Sequence, residues 1–337
     1  MRTEKYELHH GDALAVLKTL PDESVHCCVT SPPYWGLRDY GNDGQIGLEQ
    51  EPEDFINELV SVFREVKRVL RDDGTLWLNI GDSYSGSGKG TAGNLGKKHN
   101  ERHLENKTGG LIPIGTKPKD LVGIPWMLAF ALRADGWYLR QDIIWHKPNP
   151  MPESVRDRCT KAHEYIFLLS KSPKYYFDSE AMKEPAKYPF DNRGARADSR
   201  AGTSMNSVGG KTGIRFGGNK YGDSDDPKHS TKSGNEYVAT GTRNKRSVWS
   251  VTTRPFKGAH FATFPPALIE PCILAGSPRG GVVLDPFFGA GTTGLVAQRH
   301  NRKWIGCELN PEYAAIAQAR IESESTLFTL GDNNDDA

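Results

Sequence analysis

Residues 282–294 read Val282-Val283-Leu284-Asp285-Pro286-Phe287-Phe288-Gly289-Ala290-Gly291-Thr292-Thr293-Gly294. The aliphatic residues at the start predict a buried strand, and the glycine-rich loop after them predicts a turn into a helix. Glycines in such a loop let the backbone approach a ligand closely. Strand, glycine-rich loop and helix in this order are the repeating unit of open parallel α/β sheets, whose ligand crevice lies at the carboxyl ends of the strands. The segment therefore predicts an α/β fold with a ligand site at this loop.

The glycines at 289, 291 and 294 also satisfy the dinucleotide-binding pattern, so an NAD-dependent oxidoreductase is one alternative. In that pattern the glycines follow the strand directly and place a pyrophosphate at the helix N-terminus. Here Asp-Pro-Phe-Phe intervenes, offering a carboxylate for a cationic or amine group and an aromatic wall for a ring. Glu308 follows the next predicted strand and lies 23 residues after Asp285. This is close to the spacing of ~20 residues at which a second acid bonds ribose hydroxyls. These groups match S-adenosylmethionine better than a pyrophosphate.

A second segment, Thr30-Ser31-Pro32-Pro33-Tyr34-Trp35, follows an apolar alternation typical of a buried strand, at Val25, Cys27 and Val29. Pro32 ends that strand because it has no N–H for the ladder, and two consecutive prolines make the loop stiff. The Ser31 hydroxyl and the Pro32 carbonyl are acceptors beside the aromatic ring of Tyr34. Such a loop suits an extruded nucleobase, with acceptors for its amine and a ring for stacking. The alternative is an X-Pro-Pro turn whose aromatics pack locally.

The remaining pattern alternates helices and strands. Asp12 is a natural N-cap for a short helix that ends before Pro21, and an amphipathic segment from Phe55 towards Gly74 leads into a strand at 75–80. A helix at 125–134, strands at 139–146 and 165–169, and an apolar helical run at 267–275 follow. Because both loops leave the carboxyl ends of strands, they can meet in one crevice although they lie at opposite ends of the chain.

Two basic segments interrupt this pattern. Residues 83–119 carry seven basic and two acidic residues in a glycine-rich context, and residues 183–246 carry thirteen basic and seven acidic residues. The whole chain has a formal net charge of only +1, so any affinity for a polyanion has to come from such local excess. The first segment suits contact with a phosphate backbone, and the alternative is a solvated linker. The second suits contact with base edges and phosphates, and the alternative is a loosely folded insertion.

Several other classes are disfavoured. The five cysteines are an odd number without a C-x-x-C pair, which indicates reduced thiols in a cytoplasmic protein. The first residues are too polar for a signal peptide, and no apolar run approaches the ~18 residues of a membrane span. The histidine pairs His9-His10 and His99/His103 have no cluster of cysteine or carboxylate partners, so no metal site is expected. Pro271-Cys272 matches the nucleophile dipeptide of cytosine-C5 methylation, but its apolar helical context indicates core.

The two motif segments together resemble the amino-group DNA methyltransferases. Residues 30–35 look like their catalytic motif, residues 285–293 look like their cofactor motif, and this order is that of the permuted beta group. The resemblance spans roughly residues 6–321. It implies a Rossmann-like methyltransferase fold, with a mostly parallel seven-stranded sheet and helices on both faces. It divides the chain into a catalytic part at 1–182, a target-recognition region at 183–246, a cofactor part at 247–325 and an acidic tail at 326–337.

The resemblance also implies roles for individual residues. The target base would be held by Ser31, Pro32, Pro33 and Tyr34. S-adenosylmethionine would be held by Asp12, Thr263, Asp285, Pro286, Phe287, Gly289, Gly291, Thr292, Thr293 and Glu308. The implied reaction is direct in-line transfer of a methyl group to the exocyclic amine of a base in double-stranded DNA. Serine at position 31 favours cytosine N4, with adenine N6 as the alternative, and a non-catalytic DNA-binding protein is a further alternative. A homodimer and a cognate restriction endonuclease are the partners that the family suggests.

Overall fold

A computed structural model describes residues 6–36, 44–86, 112–186, 242–253 and 263–331. Most of both basic segments therefore lies outside the described residues, as do residues 254–262 and the acidic residues after 331. The chain divides into a larger unit, made of residues 1–182 and 246–337, and a smaller unit, Lys183–Lys245. In the smaller unit two short strands pair in antiparallel fashion, with Lys183 opposite Asn244.

The helices and strands follow one another along the chain as the alternating pattern predicts. In order they are β1 (Tyr6–His10), α1 (Ala13–Leu17), β2 (Val25–Thr30), α2 (Pro52–Val69), β3 (Leu70–Ile80), α3 (Ile124–Ala134), β4 (Tyr138–His146), β5 (His163–Ser170), β6 (Lys183–Pro185), β7 (Thr242–Asn244), β8 (Val248–Ser250), α4 (Pro266–Gly276), β9 (Val282–Asp285), α5 (Thr292–Arg299), β10 (Lys303–Glu308) and α6 (Pro311–Gly331). Strands β6 and β7 belong to the smaller unit and the other elements to the larger one.

The larger unit is built on one mixed sheet with the strand order β1-β10-β9-β2-β3-β5-β4-β8. Strand β5 runs antiparallel to both of its neighbours, and every other neighbouring pair is parallel. The sheet has eight strands where seven were expected. The additional strand is β8, whose three residues pair with the end of β4. A run this short carries no periodic signal, so it becomes a strand only through its partner.

Helices cover both faces of the sheet, as the fold class requires. Alternate residues of β3 show this, because Leu76 and Leu78 are buried against α2 and α3 while Trp77 is buried in the cluster that contains α4 and α5. Neighbouring side chains of a strand point to opposite faces, so one central strand contributes to two cores. Cys272 on α4 is buried in the second core, in line with its interpretation as a packing residue.

Two boundaries differ from the sequence-based expectation. Helix α2 ends at Val69 rather than near Gly74, because Leu70 takes an extended conformation and pairs with Val25. Helix α6 continues to Gly331, past the expected end of the cofactor part at residue 325. Within the described ranges, no helix combines the length and the apolar character that crossing a bilayer demands.

Candidate active site

Strands β2 and β9 are parallel neighbours at the centre of the sheet, with Cys28 opposite Leu284. Their carboxyl ends therefore lie side by side, and the loops that leave them meet. Thr30 at the end of β2 donates a hydrogen bond of 2.6 Å from its hydroxyl to the carboxylate of Asp285 at the end of β9. Both residues are buried. The two motifs, which are about 250 residues apart in the chain, are thus joined directly.

A cavity of about 620 Å³ opens at this edge of the sheet. This volume lies within the roughly 300–1,000 Å³ that small-molecule and cofactor sites occupy. Twelve of the fourteen predicted site residues line it, and they are Asp12, Ser31, Pro32, Pro33, Tyr34, Thr263, Asp285, Pro286, Phe287, Gly289, Thr292 and Glu308. The cavity therefore brings the expected base-binding loop and the expected cofactor loop into one space.

Asp285 is almost fully buried, at 1% exposure, and its carboxylate is already hydrogen-bonded within the protein. It accepts from the hydroxyls of Thr30 and Thr293 and from the backbone N–H of Phe287. Burial raises the pKa of this carboxyl to about 6, and the hydrogen bonds oppose the shift. The sequence suggested that the carboxylate binds an amine of the ligand. In the structure, however, three of its roughly four acceptor sites are already filled within the protein, and the bond from Thr30 joins the two loops.

Glu308 lies at the end of β10, and its carboxylate is less buried than that of Asp285. One carboxylate oxygen accepts from the backbone N–H of Gly289 at 2.7 Å, and the other accepts from that of Asn310 at 2.8 Å. Burial raises the pKa of this carboxyl, and the backbone hydrogen bonds lower it again. The side chain is only partly buried and lines the cavity. Its oxygens are therefore fixed in position and retain acceptor capacity towards a ligand.

Two predicted site residues, Gly291 and Thr293, do not line the cavity but support its wall. Gly291 has φ of +74°, and a Cβ there would lie 2.9 Å from the Cβ of Ala317, so this glycine lets helix α6 pack against the loop. Thr293 is buried and donates to Asp285 at 2.7 Å. On the same loop, Arg320 of α6 donates to the carbonyl of Ala290. These contacts hold the glycine-rich loop in place.

The two phenylalanines of the loop both line the cavity but differ in their packing. Phe287 is partly buried against the first core, where its ring meets Phe63 edge-on, and it lines the cavity. Phe288 is buried at 3% exposure and stacks on Trp304 with 5.0 Å between ring centroids. The expected aromatic wall is therefore formed mainly by Phe287, while Phe288 anchors the loop to the sheet.

Tyr34 forms the other side of the cavity. Its hydroxyl donates a 2.7 Å hydrogen bond to Glu164 of β5, and its ring packs over Gly81, where a Cβ would lie 2.7 Å from the ring. Glu164 also accepts from the side-chain amide of Asn79 and forms an ion pair with Lys147. The tyrosine ring is thus held at both ends, which limits its rotation before any base arrives.

Sequence reasoning did not find Asn79, Lys147 and Glu164, which all line the cavity. One signal was present, since Asn79 interrupts the apolar run of β3 and is 4% exposed. A buried amide within such a run requires hydrogen-bonding partners and so points to a polar site nearby. Lys147 directly follows β4 and Glu164 lies on β5, and only the antiparallel pairing of these two strands brings them together.

The mixed sheet with a cleft at its carboxyl edge has the Rossmann-like architecture of S-adenosylmethionine-dependent methyltransferases. A family model described as DNA methylase, of the N6/N4 amino-methylase type, matches residues 25–319. The chain belongs to this family and acts on DNA. The type II methyltransferase M.Cfr9I of Citrobacter freundii is 49% identical over 335 residues, which cover 96% of this chain and 92% of the relative. M.SmaI of Serratia marcescens is also 49% identical, over 92% of this chain and 89% of the relative.

Solved structures agree with this assignment. The PvuII DNA methyltransferase, named as cytosine-N4-specific, superposes with a TM-score of 0.58 over 94% of this chain and 86% of its own, at 20% identity, which shows a shared fold. A protein of Thermus thermophilus described as a putative DNA modification methylase, in complex with S-adenosyl-L-methionine, matches with a TM-score of 0.55 at 26% identity, over 95% of this chain and 94% of its own. The oxidoreductase alternative is therefore set aside.

Proposed function

We propose that this DNA methyltransferase transfers the methyl group of S-adenosylmethionine to N4 of a cytosine that has been rotated out of double-stranded DNA. One observation carries the proposal: a single cavity is lined both by the stiff acceptor loop at residues 31–34 and by the glycine-rich loop at residues 285–292. Methyl transfer by in-line displacement requires donor and acceptor atoms in contact, and a shared cavity makes such contact possible.

The residues on one side of the cavity fit S-adenosylmethionine. The fixed carboxylate of Glu308 suits two ribose hydroxyls, and the exposed face of Phe287 suits an adenine ring. Asp12 lines the same part of the cavity while its carboxylate caps α1 by accepting from the N–H of Ala15 at 2.8 Å. When bound, S-adenosylmethionine supplies an electrophilic methyl group on a positively charged sulfur. The acidic side chains of Asp12, Asp285 and Glu308, which are among those that line the cavity, favour such a cation electrostatically.

The residues on the other side would orient the amine. Its lone pair is delocalised into the base ring, so the nitrogen is a poor nucleophile until it becomes pyramidal. The Ser31 hydroxyl and the Pro32 carbonyl would each accept one N–H and so direct the lone pair towards the methyl carbon. Tyr34, held by Glu164, would stack on the base. No covalent intermediate with the enzyme is required.

Cytosine is proposed as the target because of the residue at position 31. Serine rather than aspartate begins the motif, and within the resembling family the aspartate form goes mostly with adenine. The fold relative named for PvuII is described as cytosine-N4-specific, which supports the same choice.

Transfer of an isotope-labelled methyl group to genomic DNA, followed by nucleoside analysis, tests the proposal. The expected product is labelled N4-methylcytosine. Labelled N6-methyladenine or C5-methylcytosine would contradict the choice of base, and cofactor binding without any label in DNA would identify a non-catalytic binding protein. A matched control is Ser61→Ala on α2, where the hydroxyl only bonds its own helix backbone, because this variant should label DNA as the wild type does.

We further propose that residues 183–246 select the DNA sequence and that a cognate endonuclease cuts the same site when it is unmethylated. The local excess of basic residues supports the first point. Restriction of DNA from cells with and without the enzyme would test the second, since only unmethylated DNA should be cut. A homodimer is proposed by analogy with the family, and sedimentation at several concentrations would show its mass.

A further inference from the structure

Lys147 lies in the cavity at the point where β4 ends, beside the start of β5. Trp145 pairs with Glu164 across these two strands, and the backbone N–H of Lys147 donates to Ala162. The ammonium group forms an ion pair with Glu164 and lies 4.3 Å from the centroid of the Trp145 ring. The side chains of Lys147 and Glu164 are 19% and 14% exposed, so the pair is largely shielded from solvent. Shielding an ion pair from water costs desolvation free energy, so stability alone is a weak explanation for this pair.

The charges around the cavity make Lys147 distinctive. Among the described residues that line it, four are carboxylates, at Asp12, Glu164, Asp285 and Glu308, and Lys147 is the single cation. The acceptor loop can satisfy an amine, because the Ser31 hydroxyl and the Pro32 carbonyl accept hydrogen bonds. Cytosine, however, also carries two acceptors of its own, N3 and O2, and these need donors. A site that leaves them unpaired would lose affinity for the extruded base.

The side-chain amide of Asn79, which bonds the same carboxylate as Lys147, has no hydrogen left for a ligand. Asn79 uses both N–H bonds of its amide, donating to Glu164 at 3.2 Å and to the carbonyl of Tyr165 at 3.0 Å. Lys147 has three N–H bonds, and within the described part of the chain one of them is directed at Glu164. Two remain for a ligand in the cavity.

The position of Lys147 fits the opposite edge of a base whose amine lies at Ser31. Tyr34 is attached to the acceptor loop at its backbone end, and its hydroxyl at the other end lies 2.7 Å from Glu164. Lys147 bonds the same carboxylate, so the ammonium group lies near the phenol end of the ring. In cytosine, N4 and O2 are on opposite sides of N3. A base stacked along Tyr34 with its amine at the loop therefore presents the other acceptors towards Lys147.

We propose that Lys147, held in place by Glu164, donates hydrogen bonds to the ring acceptors of the extruded base and thereby contributes to its recognition. The inference rests on the proposed function and adds a specificity residue to it. The chemistry required of the target is a ring acceptor next to the methylated amine, which is N3 in cytosine. Adenine offers N1 at the equivalent position, so the contact is testable with whichever base the nucleoside analysis identifies. The other role open to a lysine here is contact with a phosphate of the extruded nucleotide.

The test compares two DNA duplexes, one with the target base and one with an abasic position in its place. Affinity is measured for the wild type and for Lys147→Met, with a non-reactive analogue of S-adenosylmethionine present. We expect the substitution to weaken binding of the duplex with the target base by about tenfold or more, since a hydrogen bond from a charged donor is lost. Binding of the abasic duplex should be the same for both proteins. Equal losses on both duplexes would indicate a phosphate contact, and no loss on either would remove the proposed role.

Two further variants make the result specific. Lys171 at the other end of β5 is 18% exposed and also paired with carboxylates, so Lys171→Met should lose no affinity for either duplex. Glu164→Gln keeps an acceptor for Tyr34 but removes the charge that holds Lys147, so a smaller base-dependent loss is expected. Unchanged affinity for S-adenosylmethionine and an unchanged unfolding midpoint would show that each variant is folded. A wild type that labels adenine would contradict the cytosine proposal and leave the base-dependent loss at Lys147 as a separate result.

Discussion

The buried carboxylate of Asp285 links the two halves of the active site at the scale of a single residue. Its oxygens accept from Thr30 on the catalytic side and from Thr293 on the cofactor side. Because the carboxyl is excluded from solvent, burial raises its pKa to about 6 despite these hydrogen bonds. The protein therefore retains a partly protonated carboxyl in the cleft below neutral pH, and its charge develops as the pH rises.

Asp285→Asn should change how stability depends on pH. Because the pKa is raised in the folded protein, Asp285 binds its proton more tightly when folded, so its stabilising contribution is complete below the unfolded value, near 3.8, and disappears as the pH passes about 6. Asparagine does not titrate. The free energy of unfolding of the wild type should therefore fall relative to Asp285→Asn by up to roughly 3 kcal/mol between about pH 4 and pH 7. Urea unfolding of both proteins across this range measures the difference, and a constant difference would contradict the shifted pKa.

Ser31→Ala should reduce methyl transfer without weakening cofactor binding. The substitution removes one of the two acceptors proposed for the amine, and loss of one hydrogen-bonding group that stabilises a transition state costs about 10²–10³ in kcat in other enzymes. Glu308 and Phe287 are untouched, so affinity for S-adenosylmethionine should stay the same. Single-turnover transfer and calorimetric titration of the cofactor separate these effects. A variant that methylates DNA at the wild-type rate would show that the hydroxyl has no part in the reaction.

Most of the site residues that the sequence predicted lie in contiguous motifs, whereas those that it missed are brought together only by the fold. Residues 31–34 and 285–292 are contiguous motifs, so their chemistry is visible in the printed sequence. Glu164 is a single polar residue on β5 and Lys147 is one just after β4, and nothing in either segment indicates that the other is its partner. Their pairing depends on strand register, which is a tertiary property. Asp285 was found, but its bonds to Thr30 and Thr293 could be read only from the structure.

At the scale of elements, one strand and one helix each make room for Phe288 through a glycine. A Cβ at Gly306 of β10 would lie 2.5 Å from the Phe288 ring, and a Cβ at Gly294 of α5 would lie equally close to it. The ring occupies the space between strand and helix and stacks on Trp304. These glycines are thus required for packing, and the loop that carries Phe287 is attached to the sheet by its neighbour.

Gly306→Ala should destabilise the protein through a clash with Phe288. Overpacking of a buried site typically costs about 1–3 kcal/mol. In the background of Phe288→Ala the added methyl group meets an empty space, so the same glycine substitution should cost less or even stabilise. Urea unfolding of the four proteins gives the coupling free energy, and additive effects would contradict the contact.

Helix and strand positions were predictable where periodicity was long. The apolar faces of α2 and α3 and the runs of β3, β5 and β9 were located from spacing alone, because burial on one face imposes that spacing. The end of α2 was misplaced since Gly74 looks like a helix stop, whereas Leu70 is already drawn into pairing with β2. The strand β8 was missed because three residues carry no period.

At the scale of the whole molecule, the sheet order explains how the motifs meet. The catalytic strand β2 lies far before the cofactor strand β9 in the sequence, yet the two are neighbours in the sheet. The strands of this sheet that lie between them in sequence extend it on the far side of β2, and they are β3, β4, β5 and β8. The sequence supplied the motif order and the resemblance supplied the topology. The antiparallel insertion of β5 and the eighth strand followed only from the structure.

Removing the smaller unit tests which part of the chain recognises DNA, and it can be removed because its two ends meet. Lys183 and Asn244 are paired across β6 and β7, so residues 184–243 can be replaced by a short glycine–serine linker without moving Met182 or Arg246. Among the residues that the structure describes, none of those removed belongs to the core of the larger unit, so the shortened protein should fold and bind S-adenosylmethionine with wild-type affinity. If residues 183–246 select the DNA sequence, methyl transfer to the recognition site should fall to the level seen on unrelated DNA. Calorimetry and labelled transfer measure the two properties. Retained site-specific methylation would place recognition elsewhere, and loss of cofactor binding would show that the smaller unit supports the fold.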